Sequence, residues 1–129
     1  MPSVLIEVRK EYTEEQEIAI IEAVHDALVE SFKTRPQDKN VRLVVHKPHR
    51  FACALPKLEA FTHITLDCFV GRTKEAKARL YRTIVANLAP FGIPEDHIEI
   101  IIREMDRVNF GIRGGQPASD VDLGFKVEI

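Results

Sequence analysis

The second residue of the chain is proline, and its place decides what it can do. Initiator Met is normally removed when a small residue follows, so loss of Met1 would leave Pro2 with a free secondary amine held rigid by its ring. An unperturbed α-amino group titrates near ~7.7 to 8.0, and desolvation or a neighbouring guanidinium favours its neutral form. Such an amine can serve as a general base near neutral pH. If Met1 stays, the same nitrogen is an amide and that chemistry is gone. A second feature is Arg113, set in Gly111-Ile112-Arg113-Gly114-Gly115, where the glycines leave room for close backbone approach. Its guanidinium can meet an anion from the same or a neighbouring subunit, or form a structural salt bridge.

Other patterns argue against other chemistries. His46 and His49 would sit across alternate strand positions with Pro48 between them, which does not aim two rings at one ion, so no metal is expected. Gly111, Gly114 and Gly115 do not follow a strand and open a helix, so a dinucleotide cofactor is not expected either. Eighteen Lys and Arg against twenty Asp and Glu give a formal charge of -2, with no like-charge block to track a nucleic-acid backbone. Cys53 and Cys68 are too few for a disulfide framework and fit a reducing, cytoplasmic setting. Glu7, Arg9, Lys10 and Glu11 interrupt any signal-peptide core, and no run is long and apolar enough to span a membrane.

The elements that must carry these residues are readable from period and caps. Val4 to Val8 reads as a buried strand, with Pro2 at its mouth. Thr13-Glu14-Glu15-Gln16 is a capping box for a helix that buries Ile20, Val24, Leu28 and Phe32 and stops before Pro36. Val41 to His46 is a second strand, and His49 to Phe61 an irregular surface connection. His63 to Val70 is a third strand, followed by the turn Gly71-Arg72 and a Thr73-capped helix burying Leu80, Ile84 and Leu88. Ile98 to Arg103 is a fourth strand, apolar enough to be covered on both faces.

Thr13-x-Glu15 and Thr73-x-Glu75 occupy matching places, as do Pro36-x-Asp38 and Pro94-x-Asp96. The 129 residues therefore read as one domain of two βαβ halves, about 1–48 and 62–105, with a tail at 106–129. The fold class is α/β (α+β): a duplicated βαβ with a four-stranded, mainly parallel-paired sheet and two helices on one face. The other face needs a cover, which oligomerisation would supply. A ferredoxin-like βαββαβ arrangement shares this order of elements.

Met-Pro before a strand, the duplicated βαβ, Gly71-Arg72-Thr73 opening the second helix and the tail Asn109-Phe110-Gly111-Ile112-Arg113-Gly114-Gly115 together resemble the tautomerase superfamily. The closing Asp120-Val121-Asp122-Leu123-Gly124-Phe125 resembles the branch that contains malonate semialdehyde decarboxylase. The resemblance implies a homotrimer with an active site near each amino-terminal proline. It implies that Arg72 holds a substrate carboxylate in a cleft beside Pro2, and that Asp38 orients or activates water. Phe110 falls where relatives place a tail aromatic, which would lower the dielectric around the amine. The decarboxylases carry a second arginine just upstream of the position of Arg72, where this chain has Phe69 and Val70.

The expected activity is cofactor-independent enol-keto tautomerisation of a small 2-oxo acid, with Pro2, Arg72 and Asp38 catalytic and Arg72, Phe110 and Arg113 binding substrate. Decarboxylation or hydration of a 3-oxo or unsaturated acid is the alternative, and a non-catalytic trimer is the outcome if Met1 is retained. The expected partners are a small carboxylate-bearing carbonyl compound and two further copies of the chain, with neither nucleic acid nor membrane.

Overall fold

A computed structural model describes residues 2–124 apart from Leu55, Lys57 and Leu58. Strand β1 (Ser3–Val8) leads through Thr13 into helix α1 (Glu14–Phe32), and β2 (Val41–Val45) follows. After a connection with a short helical turn at Pro48–Arg50, β3 (Thr62–Phe69), helix α2 (Lys74–Leu88) and β4 (Ile98–Met105) repeat the order. A small hairpin of β5 (Gly111–Ile112) and β6 (Gln116–Pro117) forms in the tail.

The sheet order is β2-β1-β3-β4. β1 with β2 and β3 with β4 are parallel, as a right-handed crossover requires, while β1 and β3 meet antiparallel with Ser3 opposite Asp67 and Val8 opposite Thr62. This antiparallel centre brings the start of β1 beside the end of β3, and that is what sets Pro2 near the β3–α2 turn.

The capping box forms as its spacing predicts: the Thr13 hydroxyl accepts from the Gln16 amide, and the Gln16 side chain accepts from Thr13. The Thr73 hydroxyl caps α2 by accepting from the Ala76 amide, without a return bond from the Ala76 side chain. Ile20, Val24, Leu28 and Phe32 on α1 and Leu80, Ile84 and Leu88 on α2 pack against Val4, Ile6, Val8, Ile64 and Leu66. α1 ends earlier than Pro36 demands, because Lys33 takes a left-handed conformation (φ 56°) directly after Phe32.

Within one chain the helices cover a single face of the sheet. Burial alternates along β1 and along β3 up to Cys68, and β4 leaves Glu99, Ile101 and Arg103 exposed on the face away from the helices. That face is mixed rather than apolar. Arg103 makes a two-pronged bond to Asp67 at 2.8 and 3.0 Å, Arg42 donates to the Ser3 hydroxyl, and Glu7 and Glu99 pair with His46 and His63. Runs of β-branched residues look alike whether or not polar neighbours share the outer face, which is how the sequence overstated its apolar character.

Candidate active site

Pro2 is buried at the mouth of β1. Continuing the antiparallel register one step past Ser3–Asp67 leads it to Cys68, which is fully buried. Burial raises the Cys68 thiol pKa above its ordinary value, with the positive charge of Arg72 opposing that rise. The sequence offered no chemical role for this cysteine, and it remains a packed neighbour of the proline.

Arg72 is placed by the turn after β3. Gly71 carries φ 133°, a backbone that side chains rarely tolerate, and this tight reversal sends the next residue back under the sheet end. Arg72 is only 5% exposed. Its Nη1 donates to the Phe69 carbonyl at 3.4 Å, and its guanidinium lies 4.8 Å from the centre of the Phe32 ring at the end of α1. The aromatic floor and the turn carbonyl hold the cation in place within the single chain.

Asp38 is held by the α1–β2 connection. His25, itself buried on α1, donates from Nε2 to the Pro36 carbonyl at 2.8 Å, and the Asp38 amide closes a turn onto the Arg35 carbonyl at 2.9 Å. The Asp38 carboxylate then receives Arg35 Nε at 2.8 Å and Nη2 at 3.1 Å. This bonding raises the Arg35 pKa, and Asp122 in the tail adds to it by charge. The Val4 amide donates to the Asn40 carbonyl at 3.0 Å, tying this connection to the start of β1.

Phe110 stands edge-on to Phe69, with ring centres 4.6 Å apart. Phe69, Ala118 and Leu123 form a second apolar cluster with Phe110, Ile112 and Val121, so the tail folds onto the end of β3. Arg113 occupies the hairpin turn with φ 50°, followed by Gly114 and Gly115, also left-handed. Its Nη1 donates to the Asp122 carbonyl at 2.7 Å, and its own carbonyl accepts from Gln116. The tail reaches Arg35 as well, since a Cβ on Gly124 would come within 3.2 Å of Arg35 Nη1.

Pro2, Arg72, Asp38 and Phe110 therefore share one end of the sheet, linked through Phe69, Phe32 and the 33–40 connection. Arg113 joins them through Asp122 and the tail. Sequence reasoning read Phe32 as a packing residue and passed over Arg35 and His25; the Arg35-x-x-Asp38 spacing around Pro36 was the available signal. A groove of about 990 Å³ lies along α2 and the turn before β4 and is lined by Tyr81, Val85 and Ile93 among others, with none of the five candidate residues. His46 bonds to Glu7, while His49 lies in the Pro48–Arg50 turn. Among the described residues no group of three or more His, Cys, Asp or Glu is arranged to hold a metal ion.

Comparison with known families is decisive at this point, because the model for the family described as tautomerase enzyme matches residues 38–113, more than half of the chain. The chain belongs to the tautomerase family. Among solved structures, this family member is similar to the FG41 malonate semialdehyde decarboxylase inhibited by 3-bromopropiolate, at 28% identity and a TM-score of 0.79, covering 89% of this chain and 92% of that one. It shares the fold of Pt0534 inactivated by 2-oxo-3-pentynoate (21% identity, TM-score 0.84, coverage 93% and 99%). It also shares that of a fused 4-OT solved as an asymmetric trimer (17% identity, TM-score 0.82, coverage 92% and 97%). No curated protein gives a significant match. Among the described residues no helix is long and apolar enough to cross a membrane.

Proposed function

We propose that the chain is a cofactor-independent tautomerase in which Pro2, unmasked by removal of Met1, moves a proton between carbon and oxygen of a small enolised 2-oxo acid. The observation that carries this reading is the burial of Arg72 at the turn of β3 beside the start of β1, within a tautomerase-family chain. A fixed guanidinium in a dry pocket attracts the substrate carboxylate, steadies the developing enolate and favours the neutral, basic form of the proline amine. Phe110 walls the pocket, Arg113 offers a second anion contact, and Asp38, oriented by Arg35, stands ready to position the substrate oxygen or a water. The working form is a cytoplasmic homotrimer of single-domain chains, in which neighbouring copies cover the mixed outer face of the sheet.

Decarboxylation is the second reading, favoured by the likeness to the FG41 enzyme. A more basic Pro2 would then be cationic at neutral pH and act as an acid while Asp38 handles water. Phe69 and Val70, standing where that branch has a second arginine, weigh for tautomerisation. Intact-mass measurement of protein from its native host tests the premise: loss of Met1 is expected, and uniform retention would falsify proline catalysis and leave a non-catalytic trimer. Ketonisation of phenylenolpyruvate by wild type and by Pro2→Ala then tests turnover.

A further inference from the structure

At the carboxyl ends of β1 and β2, a cavity of about 740 Å³ is lined by Arg9, Lys10, His46 and Lys47, with Glu11 and Glu59 also on its wall. Three full cations thus face one space against two carboxylates, in a chain whose formal charge is -2. Among the described residues none of these five charges is engaged in an ion pair. Arg9 is held in place by donating from Nη2 to the Pro48 carbonyl at 3.2 Å, and its Nε is buried without a hydrogen-bond partner. Lys10 lies 5.4 Å from the centre of the Tyr12 ring, and His46 is fixed by Glu7 and the edge of Phe51.

Like charges gathered in a concave wall focus a positive potential that a bound anion relieves. A buried N–H without an acceptor is costly, and a ligand oxygen would satisfy it. The volume is that of a small-molecule site, and the carboxyl ends of adjacent parallel strands are where open α/β sheets commonly receive ligands. Six strand residues separate this end from Pro2, a span of roughly 20 Å, so one small substrate cannot occupy both places.

We infer that this cavity is a second oxyanion site, taking a small molecule that carries a phosphate or a pair of carboxylates. It stands on Arg9 and its neighbours and does not depend on proline catalysis.

Calorimetric titration of the full chain with inorganic pyrophosphate, and separately with malonate, tests it. Both titrations are run in wild type and in Arg72→Ala, so that carboxylate binding at the Pro2 end is removed from the second set. Saturable binding that survives in Arg72→Ala is expected, and the tighter of the two ligands identifies the phosphate or dicarboxylate preference. Arg9→Gln and the exposed Lys47→Gln should each weaken it on the order of tenfold, with added salt weakening it further. Glu11→Gln should tighten it a few-fold. Loss of all binding in Arg72→Ala, unchanged affinity in a folded Lys47→Gln, or no saturation by millimolar ligand would overturn the assignment.

Discussion

The two βαβ units place different residues at matching points, and only one carries a buried cation. Before the Thr73 cap of α2 stands Arg72, buried on the Phe32 ring; before the Thr13 cap of α1 stands Tyr12, whose hydroxyl is buried without a hydrogen-bond partner. Asp38 has a side chain only 10% exposed and is clasped by Arg35, whereas Asp96, at the matching place before β4, is 72% exposed and 3.8 Å from His97. Pro2 precedes β1; at the corresponding start of β3, Thr62 is buried and donates to the Ala60 carbonyl. Repetition of a backbone therefore does not repeat its chemistry. A strand-turn-helix joint supplies a position, and the residue type at that position decides whether it becomes a charged pocket or packing.

The comparison breaks most readily at the proline. Pro2→Ala is expected to lower kcat for phenylenolpyruvate ketonisation by about 10²–10⁴-fold, the range for losing a general acid-base group, while Thr62→Ala leaves kcat nearly unchanged. Activity surviving in Pro2→Ala would remove the asymmetry at its root. Next comes the turn arginine: Arg72→Ala should cost on the order of 10²–10³ in kcat/KM, as for a lost oxyanion donor, and Tyr12→Phe should stay within about twofold. Equal losses in the two variants would mean that both joints serve one function.

Stability sharpens the same contrast. Removing an unsatisfied buried hydroxyl should make Tyr12→Phe more stable by roughly 1 kcal/mol, seen as a rise of a few degrees in Tm. The pH dependence has a definite sign. Burial raises the Tyr12 pKa above its unfolded value near 10, so the neutral phenol's contribution is intact below about pH 10 and lost as pH climbs through the folded value. Chemical denaturation from pH 8 to 11 should show wild type weakening faster than Tyr12→Phe. The smallest pair of effects concerns the acids: Asp38→Asn should lower Tm modestly, because its Arg35 partner is solvent-accessible, and the exposed Asp96→Asn should lower it less still.

Much of the architecture was legible because caps and periods are local. Thr13 with Gln16, Thr73, and the helix stripes Ile20 to Phe32 and Leu80 to Leu88 each follow from residues within a few turns of one another. The strand faces were misread because Val, Ile and Leu mark a strand without saying which side meets water; that is settled by partners such as Asp67 and Arg103, which lie 36 positions apart. The positions of Pro2, Arg72, Asp38, Phe110 and Arg113 were named from motif, yet the groups that fix them were not. Arg35 on Asp38 was a three-residue spacing passed over, while Phe32 under Arg72, His25 on the Pro36 carbonyl and Asp122 on Arg113 are joined through space, and no period in the chain announces such contacts.

Among the described residues there are two apolar clusters, and Phe69 stands in the one that the tail builds rather than in the one between sheet and helices. The chain end can thus be recut at Phe110, Ile112 or Val121 while the load on the main core stays the same. Substitutions at those three positions reshape the wall around Phe69 and leave the packing between sheet and helices intact.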